Sequence, residues 1–212
     1  MKVSPLLYFI GLLSFSCVSS ASNPSSFSQA KKKLVEFYQS NHQAGTFYCG
    51  CDIKWKGQKG YMDTKTCGYS PRLPFIRAGK VNNRAQRIEW EHVLPAYWFG
   101  RQLKCWQKGG RKSCRKDKRF KQMEADLHNL QPAIGELNAD RSNFRYSMLE
   151  GESRNYGRCD FEIELKSKKA EPRLAIRGDI ARSYFYMAQR YNLKLSSQQL
   201  KLFTAWNAAD PV

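Results

Sequence analysis

Apolar residues recur at helical spacing in three parts of the chain and in strand-like runs in three others. Leu34, Phe37 and Tyr38, behind Lys31-Lys32-Lys33, predict a helix over 28–41. Ile176, Ile180, Tyr184 and Met187 predict an amphipathic helix over 175–191, and 197–207 reads as another. The run RIEWEHVL at 87–94 reads as a strand ended by Pro95, and 123–131, containing DLHNL, as a second short strand. Cys159, Phe161, Ile163 and Leu165 alternate and predict a third over 158–165. Pro132 suits a first helical position and predicts a helix running to about Met148. Residues 46–80, rich in Gly, Cys and aromatics, read as short strands and loops, and 101–121 as a basic loop. Residues 22–28 are rich in Ser, Asn and Pro and read as flexible. Neither a repeat nor an interdomain linker interrupts the pattern, so one mixed α/β domain over 22–212 is expected.

The N-terminus sets the compartment. Lys2, the short apolar run Leu6 to Leu13 and the small residues Ser19-Ser20-Ala21 have the form of a secretory signal peptide over 1–21. The apolar run is too short to span a bilayer, and no later stretch is long enough. The chain is therefore expected to be exported, to the periplasm or fully secreted. Cys49, Cys51, Cys67, Cys105, Cys114 and Cys159 remain beyond the leader, an even count that suggests disulfides in an oxidising compartment. Cys105 and Cys114 flank a Gly-Gly-containing loop and form the natural local pair. Cys49 and Cys51 would each take a separate partner from Cys67 and Cys159. A zinc site is the competing reading, and it lacks the C-x-x-C spacing such sites use.

Charge narrows the partner. The chain has 36 Lys+Arg against 18 Asp+Glu, a formal +18, in 212 residues. Hydrophobic residues at 42% exclude intrinsic disorder, so the surplus sits on a folded surface and favours polyanions. Ten of the Lys and Arg lie within 101–121 beside one acid, Asp117. That density, with Trp106 among it, suits phosphate-backbone contact without base reading. It lacks the helical period of a membrane-surface helix.

Within this setting, His92 stands out among His42, His92 and His128 because it follows Glu91 in Glu89-Trp90-Glu91-His92. Phosphodiester hydrolysis needs a base for water and a cation for the developing charge. A neutral imidazole can be the base, and an adjacent carboxylate can hold Mg²⁺, which prefers oxygen ligands. Adjacent strand residues point to opposite faces, so both reach one phosphate only if the strand ends there, as Pro95 allows. A second cluster, Gly135 to Asn143, holds many poor helix formers, which suggests a role besides helix formation. Asn138, four residues after Ile134, could offer a carbonyl to a metal.

Several ordered runs closely resemble the endonuclease I family of periplasmic and secreted bacterial nucleases. They are Arg87-Ile88-Glu89-Trp90-Glu91-His92-Val93-Leu94-Pro95-Ala96, Cys105-Trp106-Gln107-Lys108-Gly109-Gly110-Arg111, Met123-Glu124-Ala125-Asp126-Leu127-His128-Asn129-Leu130 and Gly135-Glu136-Leu137-Asn138-Ala139-Asp140-Arg141-Ser142. Phe47-Tyr48-Cys49-Gly50-Cys51 and Tyr156-Gly157-Arg158-Cys159 match as well. The resemblance runs from about Phe27 to Asp210. It implies an α+β fold, one domain containing a ββα-metal (His-Me finger) motif. It also implies His92 as general base, Glu91 and Asn138 as ligands of one Mg²⁺ (with Mn²⁺ or Ca²⁺ as substitutes), and Arg111 gripping the phosphate. Glu124 takes a supporting catalytic role, and His128 and Asn129, on the second strand, anchor the first. Double- and single-stranded DNA, and RNA, become the expected partners of a monomer that leaves 5′-phosphates. Family members usually continue past the position of Val212 with a segment holding two further Cys, expected to pair with each other. A metal-independent ribonuclease using His92 and His128, and a cationic nucleic-acid-binding protein that cuts nothing, are the alternatives.

Overall fold

The computed structural model describes residues 24–41, 44–151 and 154–211. The leader expected over 1–21 and His42 lie outside the described residues. Helix α1 (Phe27–Ser40) starts where the Ser26 side chain caps the backbone N–H of Gln29, and it buries Ala30, Leu34 and Tyr38. Strands β1 (Ile53–Lys56) and β2 (Lys59–Met62) form an antiparallel hairpin, followed by the single turn α2 (Thr64–Cys67). Strand β3 (Ile88–His92) pairs antiparallel with β4 (Leu130–Ile134), and helix α7 (Gly135–Arg141) follows β4 directly. The short helices α3 (Ala96–Gly100), α4 (Lys104–Gln107), α5 (Gly110–Cys114) and α6 (Lys118–Glu124) fill the connection between β3 and β4. A third sheet, in the order β5 (Arg145–Tyr146), β7 (Lys169–Pro172), β6 (Phe161–Glu164), precedes α8 (Arg177–Tyr191) and α9 (Ser197–Ala209). The fold is therefore α+β, with three small sheets and helices packed on them.

The main core joins Phe99, Phe120 and Met123 from the β3–β4 connection to Ile134, Leu137, Tyr184 and Phe203. Its burial supplies most of the stabilisation, roughly 1.5–3 kcal/mol for each large apolar side chain. Helices α8 and α9 pack at one end. There the backbone of Gly178 passes so close to Asp210 that a Cβ would lie 2.0 Å from the Asp210 carbonyl oxygen, so only glycine fits. Three disulfides, Cys49–Cys159, Cys51–Cys67 and Cys105–Cys114, use all six cysteines of the described residues. Among the described residues no helix is long and apolar enough to cross a membrane.

Three expectations change. The segment 101–121 is not a loop: it is α4, α5 and most of α6, because Cys114 and Phe120 are buried and Asp117 caps α6 through the Phe120 N–H at 2.8 Å. The second strand begins at Leu130 rather than 123. Met123 ends in α6, and DLHNL is a 3-10 turn (Leu127–Asn129) capped by the Asp126 side chain. Pro132 opens no helix; it sits in the middle of β4 opposite Trp90. Bonds from Val93 N to Asn129 O and from Gly135 N to Arg87 O make the odd-numbered β3 positions the hydrogen-bonded pairs. Pro132 falls between them, so its missing N–H points away from β3, to the outer edge of β4, where proline is tolerated and its carbonyl accepts from Phe47 N at 2.8 Å. Helix α7 starts at Gly135 and stops at Arg141, well short of Met148, because Ser142 turns out at φ 48°.

Candidate active site

The β3–β4–α7 unit is a strand–strand–helix unit, and α7 reaches back over β3. Gly135 makes this possible: a Cβ there would sit 2.8 Å from the Arg84 carbonyl oxygen and 2.9 Å from the Glu89 carboxyl. Strand parity then divides the four residues of Glu89-Trp90-Glu91-His92. Glu89 and Glu91 meet the side chains of Asn138 and Arg141 on α7. Trp90 and His92 instead meet α1, with Tyr38 against Trp90 and Phe27 against His92, ring centroids 5.0 Å apart in the second pair. The strand ends at His92, and beyond that end the two faces open into one space. Glu91, His92, Arg111 and Asn138 all line a cleft of about 300 Å³. His92, Arg111 and Asn138 also line a larger neighbouring cleft of about 750 Å³, walled by Lys31, Arg84 and Arg87.

The ring of His92 is fixed by one bond. Its Nε2 lies 2.9 Å from the backbone carbonyl oxygen of Glu124. A carbonyl only accepts, so Nε2 carries the proton and donates, which leaves Nδ1 as the lone-pair nitrogen. Burial, reinforced by the charges of Arg111 and Arg141, lowers the His92 pKa to about 4, against a weaker opposing pull from the Glu124 carbonyl. His92 is therefore neutral at pH 7 and competent to take a proton. The Glu124 side chain acts separately from its backbone. Its carboxylate holds the Arg111 guanidinium, Nε to Oε1 at 2.7 Å. Glu124 thus supports both residues, one through its backbone and the other through its side chain.

Glu91 is buried, and its Oε1 accepts from the Tyr48 hydroxyl and from Arg141 Nη1, each at 2.8 Å. Burial pushes the Glu91 carboxyl up to about 7, while Arg141 and the Tyr48 hydroxyl pull the other way. Asn138 donates Nδ2 to Glu89 Oε2 at 3.1 Å. Because a carboxylate accepts only, this bond fixes the amide orientation and turns Oδ1 away from Glu89. Burial would raise the Glu89 pKa, but hydrogen bonds from Arg84 and Arg87 win and hold it below the ordinary carboxylate range. Among the described residues no group of three or more His, Cys, Asp or Glu gathers as a metal site. The side-chain oxygen donors lining the smaller cleft instead include the Glu91 carboxylate, the Asn138 and Asn143 amides and the Ser142 hydroxyl, and a carboxylate with an amide suits a hard cation retaining several waters.

The structure thus brings His92, Glu91, Asn138, Arg111 and Glu124 to one place. It does not do so for His128, whose exposed ring bonds Asp126 at 3.3 Å, stacks on Tyr186 and lines a different cavity. His128 and Asn129 are both off the second strand, in the 3-10 turn before it, and of the two it is Asn129 that anchors the first strand. Asn129 accepts from Leu94 N at 2.7 Å and donates to Leu94 O at 2.9 Å, and its own carbonyl takes Val93 N. Sequence reasoning missed Glu89, which orients Asn138, and Arg141, which is fully buried and bonds the carbonyl oxygens of His92 and Val93 as well as Glu91. The alternating acids of the EWEH run were the available signal for Glu89. None marked Arg141.

Residues 26–212 match the family model described as Endonuclease I. The chain is 51% identical over 191 residues to an endonuclease-1 of Buchnera aphidicola subsp. Acyrthosiphon pisum, an overlap of 86% of this chain and 74% of the relative. It is 48% identical over 208 residues to an extracellular deoxyribonuclease of Aeromonas hydrophila, covering 98% of this chain and 86% of the relative. A periplasmic deoxyribonuclease of the same organism is 47% identical over 208 residues, covering 98% and 84%. A match over residues 26–212, with relatives at this identity, places the chain in the Endonuclease I family.

Proposed function

We propose that this member of the Endonuclease I family is an exported, monomeric, Mg²⁺-dependent endonuclease that hydrolyses DNA, and RNA, with little sequence preference. The observation that carries the reading is the pinned His92. Its Nε2 is tied to the Glu124 carbonyl, so Nδ1 is the nitrogen left to accept a proton beside Glu91, Asn138 and Arg111. On this reading the β3–β4–α7 unit is a ββα-metal (His-Me finger) motif. His92 Nδ1 takes a proton from water as the water oxygen bonds to phosphorus and the bond from phosphorus to the 3′ oxygen breaks, the leaving 3′ oxygen taking its proton from a second water. The products are a 5′-phosphate and a 3′-hydroxyl. Arg111, steadied by Glu124, grips a non-bridging phosphate oxygen, and the basic walls of the larger cleft follow the backbone. Glu91 and Asn138 Oδ1 would hold Mg²⁺, and their all-oxygen character fits that ion. When bound, the ion supplies positive charge to the phosphate oxygens and the leaving oxygen.

The relatives named extracellular and periplasmic support export, in line with the leader and disulfides. His92 and His128 line separate cavities, which speaks against a metal-independent ribonuclease built on that pair. The test is supercoiled plasmid incubated with the protein in Mg²⁺ or in EDTA. Conversion to nicked and linear forms in Mg²⁺ alone is expected. Cleavage of RNA only, unaffected by EDTA, would replace this reading with the ribonuclease one. Salt-sensitive binding with no cleavage would leave a binding protein.

A further inference from the structure

Between α2 and β3 the chain throws out a loop over 73–81 that the proposed chemistry does not use. Leu73, Phe75, Ile76 and Val81 on it are 46–60% exposed, four large apolar side chains within nine residues. Such a patch on an exported, highly charged protein marks a contact surface. The loop is not slack. Phe75 and Val81 bridge in antiparallel fashion, Ile76 N bonds Lys80 O at 2.8 Å, and Asn82 N bonds Pro74 O at 2.9 Å. The tip turns through Ala78 and Gly79, both at positive φ.

Its base is bolted to α7. The buried carboxylate of Glu136 accepts from Arg72 N, Leu73 N, the Tyr69 hydroxyl and Asn82 Nδ2, at 2.6–3.2 Å. One turn on, Asp140 takes the Arg72 guanidinium through two bonds, at 3.1 and 2.8 Å. Asn138 of the candidate active site lies between these two acids on the same seven-residue helix. Loop and site are therefore held in fixed register. Charge names the occupant. From 70 to 88 the chain has five cations and no acid. Arg72, Arg84 and Arg87 are paired with Asp140 and Glu89, which leaves Arg77 and Lys80, on the loop itself, as the cations without an ion pair among the described residues. Arg84 and Arg87, at the C-terminal end of that span, line the larger cleft.

We propose that the loop over 73–81 is a base wedge, whose exposed apolar side chains enter duplex DNA between adjacent base pairs while the neighbouring cleft holds the backbone. This inference rests on the nuclease reading above. Apolar side chains flanked by cations unstack a base step and bend the duplex, and the bend brings more backbone against the protein. Phe75 and Ile76, on the arm leading into the turn, are the most exposed of the four apolar side chains and form the wedge, and Arg77 and Lys80, on either side of the turn, meet the flanking phosphates. An anionic membrane could attract the same mixture of residues, but rigid attachment to the site helix and continuity with the cleft favour the substrate.

The test uses the full-length mature protein and a double variant, Phe75→Ser with Ile76→Ser. Both side chains are exposed, and circular dichroism melts should match the wild type. Cleavage in Mg²⁺ is followed on a duplex oligonucleotide and on its single strand. Stacking is read separately in EDTA from 2-aminopurine placed along the duplex. The double variant should cut the duplex about tenfold more slowly, the worth of one stacking interaction, and the single strand less than twofold more slowly. The 2-aminopurine rise seen on binding wild type should disappear. Phe75→Trp, which keeps an apolar wedge, should retain both the rise and duplex cleavage. Equal duplex cleavage and equal fluorescence for the double variant would overturn the wedge. So would loss of binding to phosphatidylglycerol–phosphatidylethanolamine vesicles with duplex cleavage intact, which assigns the loop to membranes. Failure of wild type to cut either substrate in Mg²⁺ would defeat the nuclease reading itself, and the fluorescence rise would still report on the wedge alone.

Discussion

Replacing Arg141 with methionine keeps much of the side-chain volume and removes the charge from a fully buried position. In the native protein its guanidinium holds Glu91 Oε1 at 2.8 Å, His92 O at 3.0 Å and Val93 O at 2.8 Å, and it lies over the Tyr146 ring, 4.4 Å from the centroid. The variant strands a buried carboxylate and two strand-end carbonyls. Tyr48 still donates to Glu91, so the carboxylate keeps one partner. Removing one member of a buried ion pair costs about 3–5 kcal/mol. A protein has about 5–15 kcal/mol in total, so the variant stands near the edge of folding. The assay is urea denaturation in EDTA, followed by circular dichroism. The midpoint should fall by about 2 M for a slope near 2 kcal/mol per molar. The double variant Glu91→Gln, Arg141→Met removes the stranded charge and should recover at least about 1 kcal/mol, a coupling typical of touching residues. A loss under about 1 kcal/mol for Arg141→Met, or strict additivity in the double variant, would refute the claim that this pair fixes the end of β3.

Other consequences can be measured directly. His92→Ala should lower plasmid cleavage about 10²–10⁴-fold while duplex affinity in EDTA stays nearly constant, as judged by fluorescence anisotropy. Glu91→Ala and Asn138→Ala should each move the midpoint of a Mg²⁺ titration of initial rate upward, since either loss leaves the ion largely hydrated; an unmoved midpoint removes that residue from the metal site. Replacing exposed Lys112, Lys116, Lys118 and Lys121 with alanine should flatten the dependence of log K on log salt, by roughly 0.9 for each duplex phosphate that the variant no longer neutralises. Arg119 is left out because its guanidinium binds the Tyr191 carbonyl and packs α6 against α8. Cys49→Ala with Cys159→Ala opens a bridge spanning 110 residues and should lower stability by about 2–4 kcal/mol in a thermal melt.

Helices α1, α8 and α9 were legible because each buries one stripe against the rest of the molecule, and a stripe is a local signal. The errors fall where local signals compete with distant partners. Pro132 suits a helix start or a strand edge equally, and only pairing with Trp90, 42 positions earlier, decides between them. Over 101–121 the charge density hid Cys114, Phe120 and the following Met123, which are buried and draw the segment into helices. Of the residues named for chemistry, Glu91, His92 and Asn138 were legible within single segments, whereas Arg111 and Glu124 came from the resemblance alone, and the structure sets the first four around one cleft with Glu124 bound to two of them. Glu89 orients Asn138 from 49 positions away, and Arg141 binds Glu91 from 50, so neither role is written in any one segment.

The case of α7 joins these observations. Seven residues, several of them poor helix formers, are far too few for a helix to persist alone in water. What holds the helix is the burial of Leu137 together with side-chain bonds that run to the 73–81 loop and to two positions of β3. Glu136 and Asp140 hold the base of the loop over 73–81, Asn138 reaches Glu89, and Arg141 reaches Glu91 and the end of β3. The composition that argued against an ordinary helix is therefore the composition that builds the cleft. It follows that stability and activity are coupled unequally along one short element. Loss at Arg141 should damage both, because its bonds are buried and hold the strand end. Loss at Asn138 should damage cleavage far more than stability, because its single bond is partly exposed and the helix keeps its other three attachments.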